Sequence, residues 1–194
     1  MIKSLNNEIV IRKDEFKNEI IESIYFGGGT PSVLSINEIN SLIYSVCNNY
    51  DVLDSVEVTL EANPDDLTEE KIIELSNSRV NRLSIGVQSF FQQDLVLMNR
   101  SHTDKQAIEC IEFASKHFDN ISVDLIYGIP GLDNSRWKQN IDIILSYNIT
   151  HISAYALTVE PKTALKQYID KGIIDDVDDD QLQEQFYILL EILE

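Results

Sequence analysis

Cysteine is almost missing from this 194-residue chain, which has only Cys47 and Cys110 and no CxxC or CxxxCxxC spacing. A structural zinc site takes four N/S ligands and an iron–sulfur cluster is held by a set of thiolates, so these two alone build neither. Each stands inside a helical pattern and reads as a small buried hydrophobe. His102, His117 and His151 form no HxH or HxxxH pair, so they read as structural and no metal ligand is nominated. Basic residues are scarce too: 15 Lys and Arg against 33 Asp and Glu, a formal net charge of −18. The cations are scattered, and without a basic patch such a chain repels a phosphate backbone, which argues against a nucleic-acid partner. No apolar run is long enough for a membrane span. The opening MIKSLNNEIVIRKDEF carries charges where a secretory signal needs an apolar stretch, so a cytoplasmic protein is the expectation.

What is present is a rhythm of short apolar strand, loop and amphipathic helix. Strands are expected at Ser23–Phe26, Val56–Glu61, Arg82–Val87, Ile121–Ile126 and His151–Leu157. Between them, Ile39, Leu42, Ile43 and Val46 recur at helical spacing, as do Ala107, Ile108, Ile111 and Ala114, and Trp137, Ile141, Ile144 and Leu145. Ser35 to Glu38, Ser89 to Gln92 and Thr103 to Gln106 have the spacing of capping boxes, and Thr68 starts a helix through Leu75. The acidic run Asp175, Asp176, Asp178, Asp179 and Asp180 reads as a solvated loop before a last helix from about Gln181. Alternating strands and helices imply right-handed βαβ units and a parallel sheet, α/β in class. A doubly wound sheet and a (β/α) barrel are both open on pattern alone. No linker divides the chain, so residues 1–194 are treated as one domain.

In a parallel barrel, ligands sit at the carboxyl ends of the strands. There the chain has Gly27-Gly28-Gly29-Thr30-Pro31, Glu61, Gln88, Asp124 and then Tyr155-Ala156. Glycines let backbone groups approach a ligand, carboxylates suit a cationic amine or ribose hydroxyls, and a Gln amide both donates and accepts. Each feature alone has a plainer explanation. The glycine run fits a tight strand–helix connection, Asp124 a capping or core-network aspartate, and Arg100 a surface cation. Five polar strand ends on one rim together suggest a shared pocket.

Tyr25-Phe-Gly-Gly-Gly-Thr-Pro-Ser32, Glu61-Ala-Asn-Pro64, Arg82-Leu-Ser-Ile-Gly-Val-Gln-Ser-Phe90, Met98-Asn-Arg100 and Asp124-Leu-Ile-Tyr-Gly-Ile-Pro130, in this order, resemble the radical S-adenosylmethionine (SAM) core of the oxygen-independent coproporphyrinogen III oxidase family. The resemblance runs from about Ile21 to Leu193. Ile152-Ser-Ala-Tyr-Ala-Leu-Thr-Val-Glu-Pro-Lys-Thr163 is similar to the haem-chaperone, or HemW, branch. It implies a partial (β/α)6 TIM-like barrel. It also implies that the backbone of Gly27, Gly28, Gly29 and Thr30 holds the methionine amino group of SAM, and that Glu61 binds a polar part of the ligand. Gln88, Arg100 and Asp124 would contact its ribose and carboxylate, and Ala156 its adenine through the backbone.

The family also carries a [4Fe–4S] cluster on a CxxxCxxC segment placed after a strand that precedes the glycine turn. No such segment stands in this sequence. The expectation is therefore a piece of a longer protein, with the first strand and a C-terminal domain absent and Met1 an internal methionine. No catalytic residue is nominated, and the piece alone is expected to be inert. Two function classes follow from the resemblance. One is a chaperone that binds haem and passes it to an acceptor protein; the other is an oxidase that decarboxylates a porphyrinogen. An unrelated sugar-phosphate barrel lacks the basic cluster it would need.

Overall fold

The computed structural model describes residues 1–194. A first helix, α1 (Ile2–Ile11), precedes β1 (Ile20–Phe26), and α2 (Ile36–Asn49) leads to β2 (Asp51–Ala62). Then come α3 (Glu69–Ser76), β3 (Arg82–Gln88), the short α4 (Gln92–Leu97), α5 (Asp104–Ala114) and β4 (Ile121–Tyr127). The chain closes with α6 (Asn134–Ser146), β5 (His151–Ala156), α7 (Ala164–Asp170) and α8 (Asp179–Leu193). The five strands lie in sequence order and pair in parallel throughout. They curl into a half-barrel, with β1 and β5 as its two edges. No helix is long and apolar enough to cross a membrane.

Side chains alternate across a strand, and here the alternation separates two kinds of surface. Ile24, Phe26, Val58, Leu60, Leu83, Ile85, Val87, Val123 and Leu125 point outward and join the apolar core under the helices. The intervening residues, among them Tyr25, Thr59, Glu61, Ser84, Asp124 and Ser153, take the inner, concave side. The helices cover the convex side with the faces expected of them: Ile39 and Ile43 of α2, Ile72 and Leu75 of α3, Ala107 and Ile111 of α5, and Ile141 and Ile144 of α6 are all buried. Trp137 is fully buried, a core residue as its spacing indicated.

Several expectations are corrected. β1 begins at Ile20 and β2 at Asp51, each earlier than the sequence suggested. Ile20 and Ile21 pair with Asp51 and Val52 ahead of a register irregularity, so backbone bonds extend both strands through exposed, polar-rich residues that carry no strand pattern. Helix α7, capped by Thr163, was not anticipated. The capping boxes at Ser35/Glu38 and Thr103/Gln106 form. The one at Ser89/Gln92 does not: Phe91 occupies the cap of α4, and the Ser89 hydroxyl is turned inward to Asp94.

Helix α8 fastens the turn after β4. The buried Gln185 accepts a hydrogen bond from the Gly128 N–H (2.8 Å) and donates to the Leu132 carbonyl (2.8 Å), while its own carbonyl accepts from the Trp137 indole (2.8 Å). Gln185→Ala removes both side-chain partners and leaves two buried backbone groups unpaired. At about 1–3 kcal/mol for each such group, the variant is expected to lose roughly 2–5 kcal/mol in urea denaturation, and a loss under 1 kcal/mol would contradict the bonding described.

Candidate functional site

The strand ends converge on a cleft of about 280 Å³ lined by Gly29, Thr30, Glu61, Asn63, Ser84, Gly86, Gln88, Arg100, Asp124 and Tyr155. Two larger hollows, of about 490 and 420 Å³, lie elsewhere. The first is an apolar groove between α1, β1 and α2, and the second lies between α3 and α5. Neither gathers polar groups from several strand ends, so the smaller cleft is the candidate site.

Glu61, near the end of β2, organises the glycine turn. One carboxylate oxygen accepts from the Tyr25 hydroxyl (2.9 Å) and the other from the Gly28 N–H (3.0 Å). Gly28 has φ +78°, a left-handed backbone that glycine adopts without strain. A Cβ at Gly27 would stand 2.7 Å from the Tyr25 ring, so that position also requires glycine. Gly29 and Thr30 face the cleft, while Gly27 lines the apolar groove between α1, β1 and α2. Burial and the bond to Glu61 push the Tyr25 phenol up, which keeps its proton on the donor side.

From β3 comes Gln88, with φ +67° at an irregularity in the β3–β4 register. Arg100 reaches over from the loop after α4 and donates to the Asn63 side chain (2.9 Å) and the Gly86 carbonyl (3.4 Å). From the middle of β4, Asp124 meets the Ser84 hydroxyl at 3.4 Å. Burial pushes the Asp124 carboxyl up, the Ser153 and Ser84 hydroxyls partly oppose this, and the negative charge of Glu61 adds to it.

Seven of the nine expected residues thus either line the cleft or hold its wall in direct contact: Gly28, Gly29, Thr30, Glu61, Gln88, Arg100 and Asp124. Gly27 contributes by close packing. Ala156 is not in the lining; it pairs with Tyr127 at the same end of the sheet, and the neighbouring Tyr155 faces the cleft instead. Sequence reasoning passed over Ser84 and Ser153, and put Tyr155 on the rim without giving it a role. The alternation Arg82-x-Ser84-x-Gly86-x-Gln88, polar at every second position of an otherwise apolar strand, is the signal that marks this inner face.

The charges suit a small zwitterionic or cationic ligand with hydroxyls: two carboxylates, one guanidinium, an amide and a backbone turn. The iron–sulfur cluster implied by the resemblance does not fit the residues of this chain. No group of three or more His, Cys, Asp or Glu side chains is placed to hold a metal. Cys110 is buried, its thiol pushed up to about 12 by burial alone, and Cys47 sits on another helix, accepting from Arg79 (3.1 Å).

A family model described as the Radical SAM superfamily matches residues 5–144. The haem chaperone HemW of Lactococcus lactis subsp. lactis (strain IL1403) is 35% identical over 179 residues, 92% of this chain and 47% of that protein. HemW of Bacillus subtilis (strain 168) is 36% identical over 90% of this chain and 46% of its own length. Among solved structures, the coproporphyrinogen III oxidase HemN of Escherichia coli, a radical SAM enzyme, superposes with a TM-score of 0.81 at 25% identity, covering 97% of this chain and 44% of that one. The chain spans about half the length of these relatives.

The raised Asp124 carboxyl makes a stability prediction with a definite sign. Because the folded protein holds this proton more readily than the unfolded chain, its contribution to stability is fully present below the unfolded value of 3.8 and lost as pH rises through the raised folded value. At neutral pH the ionised, partly buried carboxylate weakens the ligand-free fold. Asp124→Asn is therefore expected to stabilise the protein at pH 7 by about 0.5–2 kcal/mol, the range usual for a stabilising substitution. The difference from wild type should shrink as pH falls toward 4. Thermal melts of both proteins across this range check it, and a variant less stable than wild type at pH 7 would reverse the assigned sign.

Proposed function

The chain belongs to the radical SAM superfamily, and from that premise we propose that its cleft is the SAM-binding part of a haem chaperone of the HemW kind. The observation that supports this best is the convergence of the glycine turn, Glu61, Gln88, Arg100 and Asp124 on one rim. Each meets a different part of the same ligand. The backbone at Gly27 to Thr30 approaches the methionine amino group. The Arg100 guanidinium suits the methionine carboxylate, a charge-assisted pairing. Gln88 and Asp124 take the ribose hydroxyls, and the backbone of Ala156 the adenine. Glu61 holds the turn in place while presenting negative charge toward the ligand's cationic end.

SAM supplies one-electron radical chemistry when it meets a reduced iron–sulfur cluster, and the share of these residues is to bind and orient it. The HemW assignment rests on relatives at 35% and 36% identity over nine-tenths of the chain. In that role the protein binds haem and passes it to an acceptor protein in the cytoplasm. The fold match to HemN favours a second reading, oxidative decarboxylation of a porphyrinogen. Haem titration followed at the Soret band, set beside an assay of coproporphyrinogen III decarboxylation on a full-length protein carrying this chain, separates the two.

Calorimetry with SAM tests the site itself. Glu61→Ala and Asp124→Ala should each weaken binding by roughly 1.5–3 kcal/mol, the loss typical of a hydrogen bond to a charged group. Undiminished affinity in both variants would defeat the assignment. Anaerobic incubation of the 194-residue chain with iron and sulfide should yield no charge-transfer absorbance, because its two cysteines do not make a cluster site. A stable brown cluster on this chain would show that reading of Cys47 and Cys110 to be wrong.

A further inference from the structure

Gln88 is placed at the rim by an unusual backbone. Left-handed φ is uncommon outside glycine; beside five glycines it is adopted here by Gln88, Asn99, Asn148 and Lys162, of which Gln88 alone is buried. Position 88 thus keeps a long amide side chain in the interior. Something must hold the residue there, and the surrounding structure shows what does.

The turn after Gln88 is pinned from helix α6. The Phe90 N–H donates to the Asn140 side-chain oxygen at 2.7 Å, and Asn140 is fully buried. The Ser89 hydroxyl, also fully buried, donates to Asp94 at 2.7 Å and accepts from the Phe91 N–H at 3.2 Å. Asp94 is paired in turn with Arg136 (3.2 Å), one helical turn before Asn140. Arg136 stands over the Phe91 ring at 5.8 Å and also donates to the Gly131 carbonyl, in the turn after β4. On the other side, the imidazole of the buried His102 lies 3.0 Å from the Val87 carbonyl.

Burying so many polar groups is costly unless each finds a partner, and apolar packing would secure an ordinary turn at less cost. The network touches no part of the cleft. Its outputs are the two turns that follow the strands bearing Gln88 and Asp124. We propose that Asn140 and Arg136 are positioning residues for the SAM site: from α6 they lock the left-handed turn that aims Gln88 at the ribose, and tie it to the neighbouring turn after β4. This rests on the SAM reading of the cleft.

The test is calorimetry of the 194-residue chain with two probes, SAM and free adenosine. Adenosine carries the ribose but none of the methionine moiety. Asn140→Ala should weaken both by about tenfold, the equivalent of one lost hydrogen bond. Gln88→Ala should do the same, and the double variant should be no worse than either single change, because both act through one contact. Leu75→Ala, in the core under α3, should lower the melting temperature and leave both affinities unchanged, which separates positioning from general destabilisation. Should Asn140→Ala fail to fold, Arg136→Lys carries the test, since it keeps the charge and loses the fork that joins Asp94 to Gly131. If wild type binds SAM while the folded variant binds it equally well, or if the Asn140 and Gln88 losses add, the positioning role is overturned and the SAM reading stands. If wild type binds neither probe, the SAM reading falls and the positioning role with it.

Discussion

The inner face of this sheet is polar, and most of what the molecule can do depends on that. Parallel sheets are ordinarily dry on both faces, which is why their strands read as continuous apolar runs. Here only the convex side is dry. On the concave side Thr59, Ser84, Ser122 and Ser153 replace the branched apolar residues that would fill a closed barrel. Their hydroxyls are short and each has a partner: Ser122 and Ser153 meet at 3.2 Å, Ser84 donates to Asp124 (3.4 Å), and Thr59 donates to Glu57 (3.2 Å) and accepts from Arg82 (3.3 Å). Small side chains leave room above them, and polar ones keep that room attractive to a ligand with charges and hydroxyls.

The same choice has an energetic side. A carboxylate at Asp124, half withdrawn from water and close to Glu61, is a liability in the empty protein. A core optimised for stability alone would place a neutral or apolar residue at that point. Its presence on an otherwise regular strand supports the proposal of a binding site there, because sites are where local stability is given up for binding. Glu61 differs from Asp124 in this respect: both its oxygens are engaged, by Tyr25 and by Gly28, so its charge is offset within the ligand-free fold.

How much of this the sequence disclosed varies with the length scale of the interaction. The strand–helix order was legible because each amphipathic period lies within a dozen residues, and the Ser35 and Thr103 caps because they are closed by residues three positions away. The rim residues were legible because a family pattern joins them across the chain. What escaped was set by distant partners. Ser89 looks like a helix cap in sequence, but a buried Asp94 and Asn140, the latter 51 positions away, draw its hydroxyl inward. The early start of β2 escaped because Asp51, Asp54 and Ser55 argue against a strand until β1 supplies its backbone bonds. Tyr155 rather than Ala156 turns its side chain to the cleft because a single step along a strand reverses the face, while the expectation for Ala156 concerns its backbone.

The walls of the cleft are not held with equal firmness, and the difference follows what each wall contributes. The turn after β3 is fixed by buried bonds to α6, and the turn after β4 by Gln185 of α8 as well as by Arg136. These two walls are pre-formed, so they charge little ordering cost to binding. The glycine turn after β1 hangs on exposed contacts, from the Glu61 carboxylate to the Tyr25 hydroxyl and the Gly28 N–H, Tyr25 being 56% exposed. Exposed polar contacts between flexible partners contribute little to rigidity. The adaptable wall is therefore the one whose contribution is backbone, where a shift of the turn changes only the approach of N–H and C=O groups. The rigid walls carry Gln88 and Asp124, side chains that must meet hydroxyls at defined angles. Stiffness is thus allotted where directional bonding needs it.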